Sequence, residues 1–94
     1  MQRKVLFILS SLALLAVIAS CGSAEKSELR AQRALAIGEY AEAAAHYQHA
    51  YRLTPASEKA QRGRLSYALG ECYRRYGASS RALAAYRTAE RYHF

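Results

Sequence analysis

The feature that most constrains this chain is a self-similarity at an offset of 39 residues, marked by the two loop glycines Gly38 and Gly77. The stretch from Gly38 to Pro55, GEYAEAAAHYQHAYRLTP, reads as a loop, an amphipathic helix and a stop. Glycine can take the positive φ that ends a preceding helix, and proline cannot continue one. Between them Tyr40, Ala43, Ala44, Tyr47, Ala50 and Tyr51 recur at three- and four-residue steps, so small and aromatic groups share one face. Glu39, Glu42, Gln48 and Arg52 fall elsewhere. Sliding the stretch onto Gly77 sets Ala43, Tyr47 and Ala50 on Ala82, Tyr86 and Ala89, and upstream Ala31 and Ala34 on Gly70 and Tyr73. Each copy is a pair of helices about its glycine, so the fold class is all-α, built of two helical hairpins.

This pattern resembles the tetratricopeptide repeat, whose hairpins stack into an α-solenoid. The resemblance implies packing roles for Gly38, Ala43, Tyr47, Ala50, Gly70, Tyr73, Gly77, Ala82, Tyr86 and Ala89: small residues admit a close helix approach, and tyrosines fill the gaps between hairpins. The family period is about 34 residues, so about five surplus residues are expected near Glu58 to Arg62, as a longer loop or an extra helical turn. The first helix is expected from near Ala24 to Ser27 as far as Ile37, with Ala31, Ala34, Leu35 and Ile37 apolar, and the second over Tyr40 to Leu53. The third runs from a Ser57 cap to Tyr76 on Leu65, Ala68, Leu69, Cys72, Tyr73 and Tyr76, with Gly63 as a weak point. The fourth follows Gly77, capped by Ser79 or Ser80, and carries Leu83, Ala85, Tyr86 and Ala89 towards Phe94.

The N-terminus has a different character. Gln2, Arg3 and Lys4 precede a mostly apolar run from Val5 to Ala19, which leads into Ile18-Ala19-Ser20-Cys21. The run is shorter than the ~20 residues a spanning helix needs, and small residues precede the cysteine, as in a lipoprotein signal peptide. On this reading residues 1–20 are removed, Cys21 receives diacylglycerol and acyl lipid, residues 21–27 form the lipidated tether, and 28–94 hold the repeats. A plain secretory signal or a transmembrane anchor is the alternative. Removal of 1–20, with Arg3 and Lys4, leaves twelve basic against seven acidic side chains, a net charge of +5. For an exported, lipidated product that balance favours anionic headgroups or an acidic protein surface over nucleic acid.

The residues offer little chemistry. Cys72 has no intramolecular partner once Cys21 is lipidated, and reads as a small buried hydrophobe, with an intermolecular disulfide as the lesser alternative. His46 and His49 lie three apart on one helix but lack a third ligand, so no metal site is expected. The chain has no aspartate, no nucleophile in a triad-like setting and no glycine-rich phosphate loop. Neither catalysis nor a cofactor beyond the lipid on Cys21 is expected, and no small-molecule substrate.

Further runs, Ala50-Tyr51-Arg52-Leu53-Thr54-Pro55, Gly70-Glu71-Cys72-Tyr73-Arg74-Arg75 and Ala85-Tyr86-Arg87-Thr88-Ala89 with Arg91-Tyr92, resemble the N-terminal repeat region of Bacteroidota outer-membrane lipoproteins of the type IX secretion and gliding machinery. In that family a β-propeller-like region and a peptidoglycan-binding domain follow. Neither is present here, so only the anchor and a docking surface carry over, and a truncated frame or the front of a longer protein is expected. The resemblance implies a lipid-anchored adaptor for envelope protein partners, on the outer membrane and facing the periplasm. The alternatives are an unrelated repeat lipoprotein for outer-membrane assembly or nutrient capture, and a small basic membrane-active lipoprotein. In tetratricopeptide arrays the first helix of each hairpin lines the groove, which nominates Glu28, Gln32, Arg64, Tyr67, Glu71, Arg74 and Arg75 as the protein-binding surface, the alternative being ordinary exposed helix residues.

Overall fold

Alanine-rich runs with three- and four-residue spacing combine high helix propensity with one apolar face, and each such run is helical in the computed structural model, which describes residues 22–94. The expected signal peptide and Cys21 lie outside the described residues. Helix α1 covers 22–36, α2 Tyr40–Leu53, α3 Lys59–Tyr76 and α4 Ser79–Arg91, and no strand occurs among the described residues. Short connections at 37–39, 54–58 and 77–78 fold each helix back on the one before, giving the all-α pair of hairpins α1/α2 and α3/α4.

Both hairpin turns have the same closure. Gly38 and Gly77 take φ of 78° and 88°, where a side chain would strain the backbone. The Gly77 N–H donates to the Arg74 carbonyl at 3.2 Å and the Ala78 N–H to the Tyr73 carbonyl at 2.9 Å; Gly38 and Glu39 donate in the same way to Leu35 and Ala34. This paired capping satisfies carbonyls that a helix end leaves open. Helix α4 closes identically through His93, with φ of 60°, the His93 and Phe94 N–H groups donating to Glu90 and Ala89. Residues 92–94 are thereby turned back over α3.

The closures explain where the sequence expectations err. Ser79 and Ser80 were expected to cap α4, but the Ala78 N–H is engaged in ending α3, so the new helix starts at once at Ser79 with Ala78 in the cap position. Ser57 does not cap α3 either. The Pro55 carbonyl accepts the Glu58 N–H at 3.0 Å, and this turn delays α3 to Lys59, with Glu58 in the cap position and no side-chain cap bond. The surplus near Glu58 to Arg62 is mostly helix, since residues 59–62 form the first turn of α3. Ile37, expected on the apolar side of α1, sits in the turn and is 74% exposed. Leu83, expected among the packing residues of α4, is also exposed. Residues 22–27, expected as a tether, are helical, with Ala24 and Ser27 buried as the first members of the stripe continued by Ala31 and Ala34.

The core is made of small groups. Ala31, Ala34, Ala43, Ala44, Ala50 and Ala85 form one cluster with Tyr47, Leu65, Leu69 and Cys72, against which Leu35, Tyr51, Ala68 and Tyr73 pack. Ala82 and Ala89 are buried along α4. Gly70 is the tightest point: a Cβ there would lie 2.7 Å from the Tyr86 ring. That tyrosine was expected between hairpins, yet it fills the inside of its own. Gly63, expected to weaken α3, is a buried seat for the turned-back terminus, with a Cβ there lying 3.0 Å from Tyr92 Cβ and Phe94 Cβ.

Gly70→Ala tests this packing. Alanine gains about 1 kcal/mol of helix propensity, yet overpacking against a ring costs about 1–3 kcal/mol, so a net loss in the urea midpoint is expected. In a Tyr86→Leu background the same substitution should be neutral or stabilising.

Candidate protein-docking surface

Positions 64, 67, 71 and 74 follow helical spacing and share one side of α3. At one end of this stripe Glu28, reaching from α1, forms a two-point pair with Arg64: Arg64 Nη2 donates to Glu28 Oε2 at 2.9 Å, and Nη1 donates to Oε1. Gln61 Nε2 donates to the same carboxylate at 3.4 Å. The Glu28 side chain is only 12% exposed. The Arg64 guanidinium, by hydrogen bond and by charge, outweighs the cost of burial and holds the Glu28 carboxyl below its usual range. Glu28 and Arg64, both nominated for partner binding, are spent on each other and clamp α1 to α3.

Farther along, Arg74 Nη2 donates to Glu71 Oε2 at 2.7 Å and Tyr86 Oη donates to Glu71 Oε1 at 2.9 Å. Both contacts lower the Glu71 carboxyl, Arg74 first. The Tyr67 ring packs between Tyr86, at 5.8 Å between centroids, and Phe94, at 5.4 Å. Tyr67 nevertheless stays 44% exposed and Phe94 57% exposed. The structure thus joins Tyr67, Glu71 and Arg74 with Tyr86 and Phe94 in one open aromatic and charged patch on α3/α4. Arg75 turns instead to the Tyr40 ring at the start of α2, at 5.8 Å. Gln32 is exposed on α1.

Sequence reasoning missed two elements. One is the seat that Gly63 provides for Tyr92 and Phe94. Its signal was a glycine within a helix, paired at a distance with aromatic residues. Tyr92 is pinned there by Arg62 Nη1, which donates to Tyr92 Oη at 3.2 Å, and by Tyr51 Oη at 3.3 Å, while Arg62 also stacks over the Tyr51 ring. The other is a cleft of about 340 Å³ on the far side of α3, lined among others by Tyr51, Leu69, Tyr73, Arg81 and Thr88. It arises because α2 and α4 flank α3 without closing over it.

Cys72 is fully buried and unpaired, and burial pushes its thiol up, which keeps it protonated. His46 lies 3.7 Å from Glu42, and no cluster of three or more metal-ligating side chains occurs among the described residues. No family model matches the chain, and neither a characterised protein nor a solved structure shows significant similarity to it.

The Glu28 clamp makes a pH prediction. Because its carboxyl is lowered on folding, its contribution is present in full above the unfolded value of about 4.3 and is lost as pH falls through the lower folded value. Glu28→Gln should cost about 1 kcal/mol at neutral pH and flatten the loss of stability below about pH 4.5, measured by thermal unfolding against pH.

Proposed function

We propose that this chain is a lipid-anchored adaptor of a bacterial envelope, tethered through Cys21, that docks a helical segment of a protein partner on the outer face of α3/α4. The observation that carries the reading is internal. By the 39-residue offset, Glu28 and Ala44 of the first hairpin correspond to Tyr67 and Leu83 of the second. Glu28 and Ala44 are covered as α3 packs onto α1/α2, whereas Tyr67 and Leu83 stand open, Leu83 at 51% exposure. The second hairpin therefore offers a copy, covered only in part by Phe94, of a surface the first hairpin uses to hold a helix. Tyrosine and arginine, prominent there as Tyr67 and Arg74, are the residue types that carry binding energy at protein interfaces.

The repeat offset and the Schellman-closed hairpins support a tetratricopeptide-type arrangement. The short runs around Arg52, Arg74 and Arg87 support a connection with type IX secretion lipoproteins and, through that resemblance, the outer-membrane, periplasm-facing placement, and the small-residue run before Cys21 supports the lipid anchor. The function is binding, with no reaction or cofactor assigned.

Two measurements test the reading. Labelling cells with a palmitate analogue should mark the product, and Cys21→Ser should abolish the label; an unlabelled product overturns the anchor. A photo-crosslinking residue at position 83 should give a discrete adduct with one envelope protein, weakened at least tenfold by Tyr67→Ala, the scale expected of an interface hot spot. Diffuse or absent adducts from a labelled, folded protein overturn the docking face.

A further inference from the structure

The outer side of α1 has a composition that its place in the fold does not explain. Lys26, Leu29, Arg30 and Arg33 fall within about 100° of the helix circumference, turned away from the buried stripe of Ala24, Ser27, Ala31 and Ala34, Ile37 follows in the turn just after the helix, and all five are exposed. Glu25 and Gln32 lie to one flank of this arc, and Glu28 is turned inward onto Arg64. The arc is thus three cations and two aliphatic side chains without an acid.

The second hairpin gives an internal control. At the 39-residue offset the same five positions in α3 are Leu65, Ala68, Leu69, Cys72 and Tyr76. Leu65, Leu69 and Cys72 are buried against the first hairpin. A further helix packed on α1 in that manner would bury Lys26, Arg30 and Arg33, at several kcal/mol for each unpaired charge. The arc is therefore not a stacking face. Leu29 and Ile37 stand 52% and 74% exposed among the cations.

We infer that this arc of α1 lies on an anionic lipid bilayer, with Lys26, Arg30 and Arg33 over the headgroups and Leu29 and Ile37 reaching beneath them. Interleaved cations and aliphatic groups on one helical face suit that boundary, because charge draws the helix down and apolar area holds it. The position agrees, since α1 is helical from residue 22, directly after the cysteine read as the lipid anchor. The inference rests on the anchored reading for its proximity to lipid, but not for its chemistry. Each basic residue near an anionic surface contributes about fivefold in affinity, so three contribute on the order of 100-fold.

The chain contains no tryptophan, so Leu29→Trp supplies a single reporter on the arc in the full chain. The protein is mixed with vesicles of phosphatidylcholine alone or with phosphatidylglycerol, each doped with brominated lipid that quenches tryptophan on contact. Quenching is expected with the anionic vesicles, weakened by 0.5 M salt. It should fall on the order of 100-fold in apposed-to-free ratio on adding Lys26→Ser, Arg30→Ser and Arg33→Ser, a variant whose helicity is checked by circular dichroism. Equal quenching, or none, in the two vesicle types overturns the inference, as does quenching that survives the triple substitution in a folded protein. The first of these is the outcome expected if the arc serves an acidic protein instead. Failure of the anchor appears separately, as loss of the palmitate label on Cys21.

Discussion

The structure depends on how closely its helices approach, and that approach is set by side chains no larger than a methyl group at the contacts. Among the described residues the largest fully buried side chains are Leu65, Cys72 and Ser66, and apart from Tyr47 and Leu69 the remaining buried core positions are alanine. A buried alanine removes little apolar area from water, so such a core draws stability from dense contact between helix surfaces more than from transfer of large side chains. Dense contact is intolerant. The Tyr86 ring occupies the space a Cβ on Gly70 would need, and Tyr92 and Phe94 occupy the space over Gly63. The polar links then act at the margins, where Glu28 joins α1 to α3 and Arg62 joins the end of α4 to the end of α2.

The same register carries two chemistries. By the 39-residue offset Ala31 and Tyr47 of the first hairpin correspond to Gly70 and Tyr86 of the second, where the Tyr86 ring occupies the space a Cβ on Gly70 would need. Tyr47 is buried in the core cluster, whereas Tyr86, seated on Gly70, stays part-exposed, packs on Tyr67 and bonds Glu71, so the outer side of α3 carries Tyr67, Glu71 and Arg74. At the opposite end, the positions that would be core in a middle hairpin carry Lys26, Arg30 and Arg33 on α1. The array is therefore polar in direction, with a basic face at its front and an aromatic face at its back.

Much of this was legible in the sequence, and the exceptions have a common cause. The bounds of α2, the end of α3 and the two glycine closures follow from local chemistry, because positive φ and proline act on their own residues. The buried alanines followed from periodicity. The serines at 57, 79 and 80 misled because cap preference is a small term, of about 1 kcal/mol. Here the backbone bonds that end one helix decide where the next begins. Ile37 and Leu83 misled because periodicity marks a face as apolar without saying whether anything covers it. The pairing of Glu28 with Arg64, 36 residues apart, has no local signature at all. Two residues that looked like partner contacts turned out to be a clamp within the chain.

That clamp bears on what the two end faces can do together. Glu28 faces inward from α1, so its charge neutralises Arg64 and adds nothing to the outer arc, whose cations are left to act as a set. On the anchored reading, holding α1 against the bilayer directs α3/α4 away from it, since α1 and α4 are the outermost of the described helices. Membrane apposition and partner docking then do not compete for residues: the first uses the α1 face turned from the core, the second uses Tyr67, Arg74 and Leu83 at the far end. On the docking reading, a partner arriving from the aqueous side meets the aromatic face of α3/α4 first.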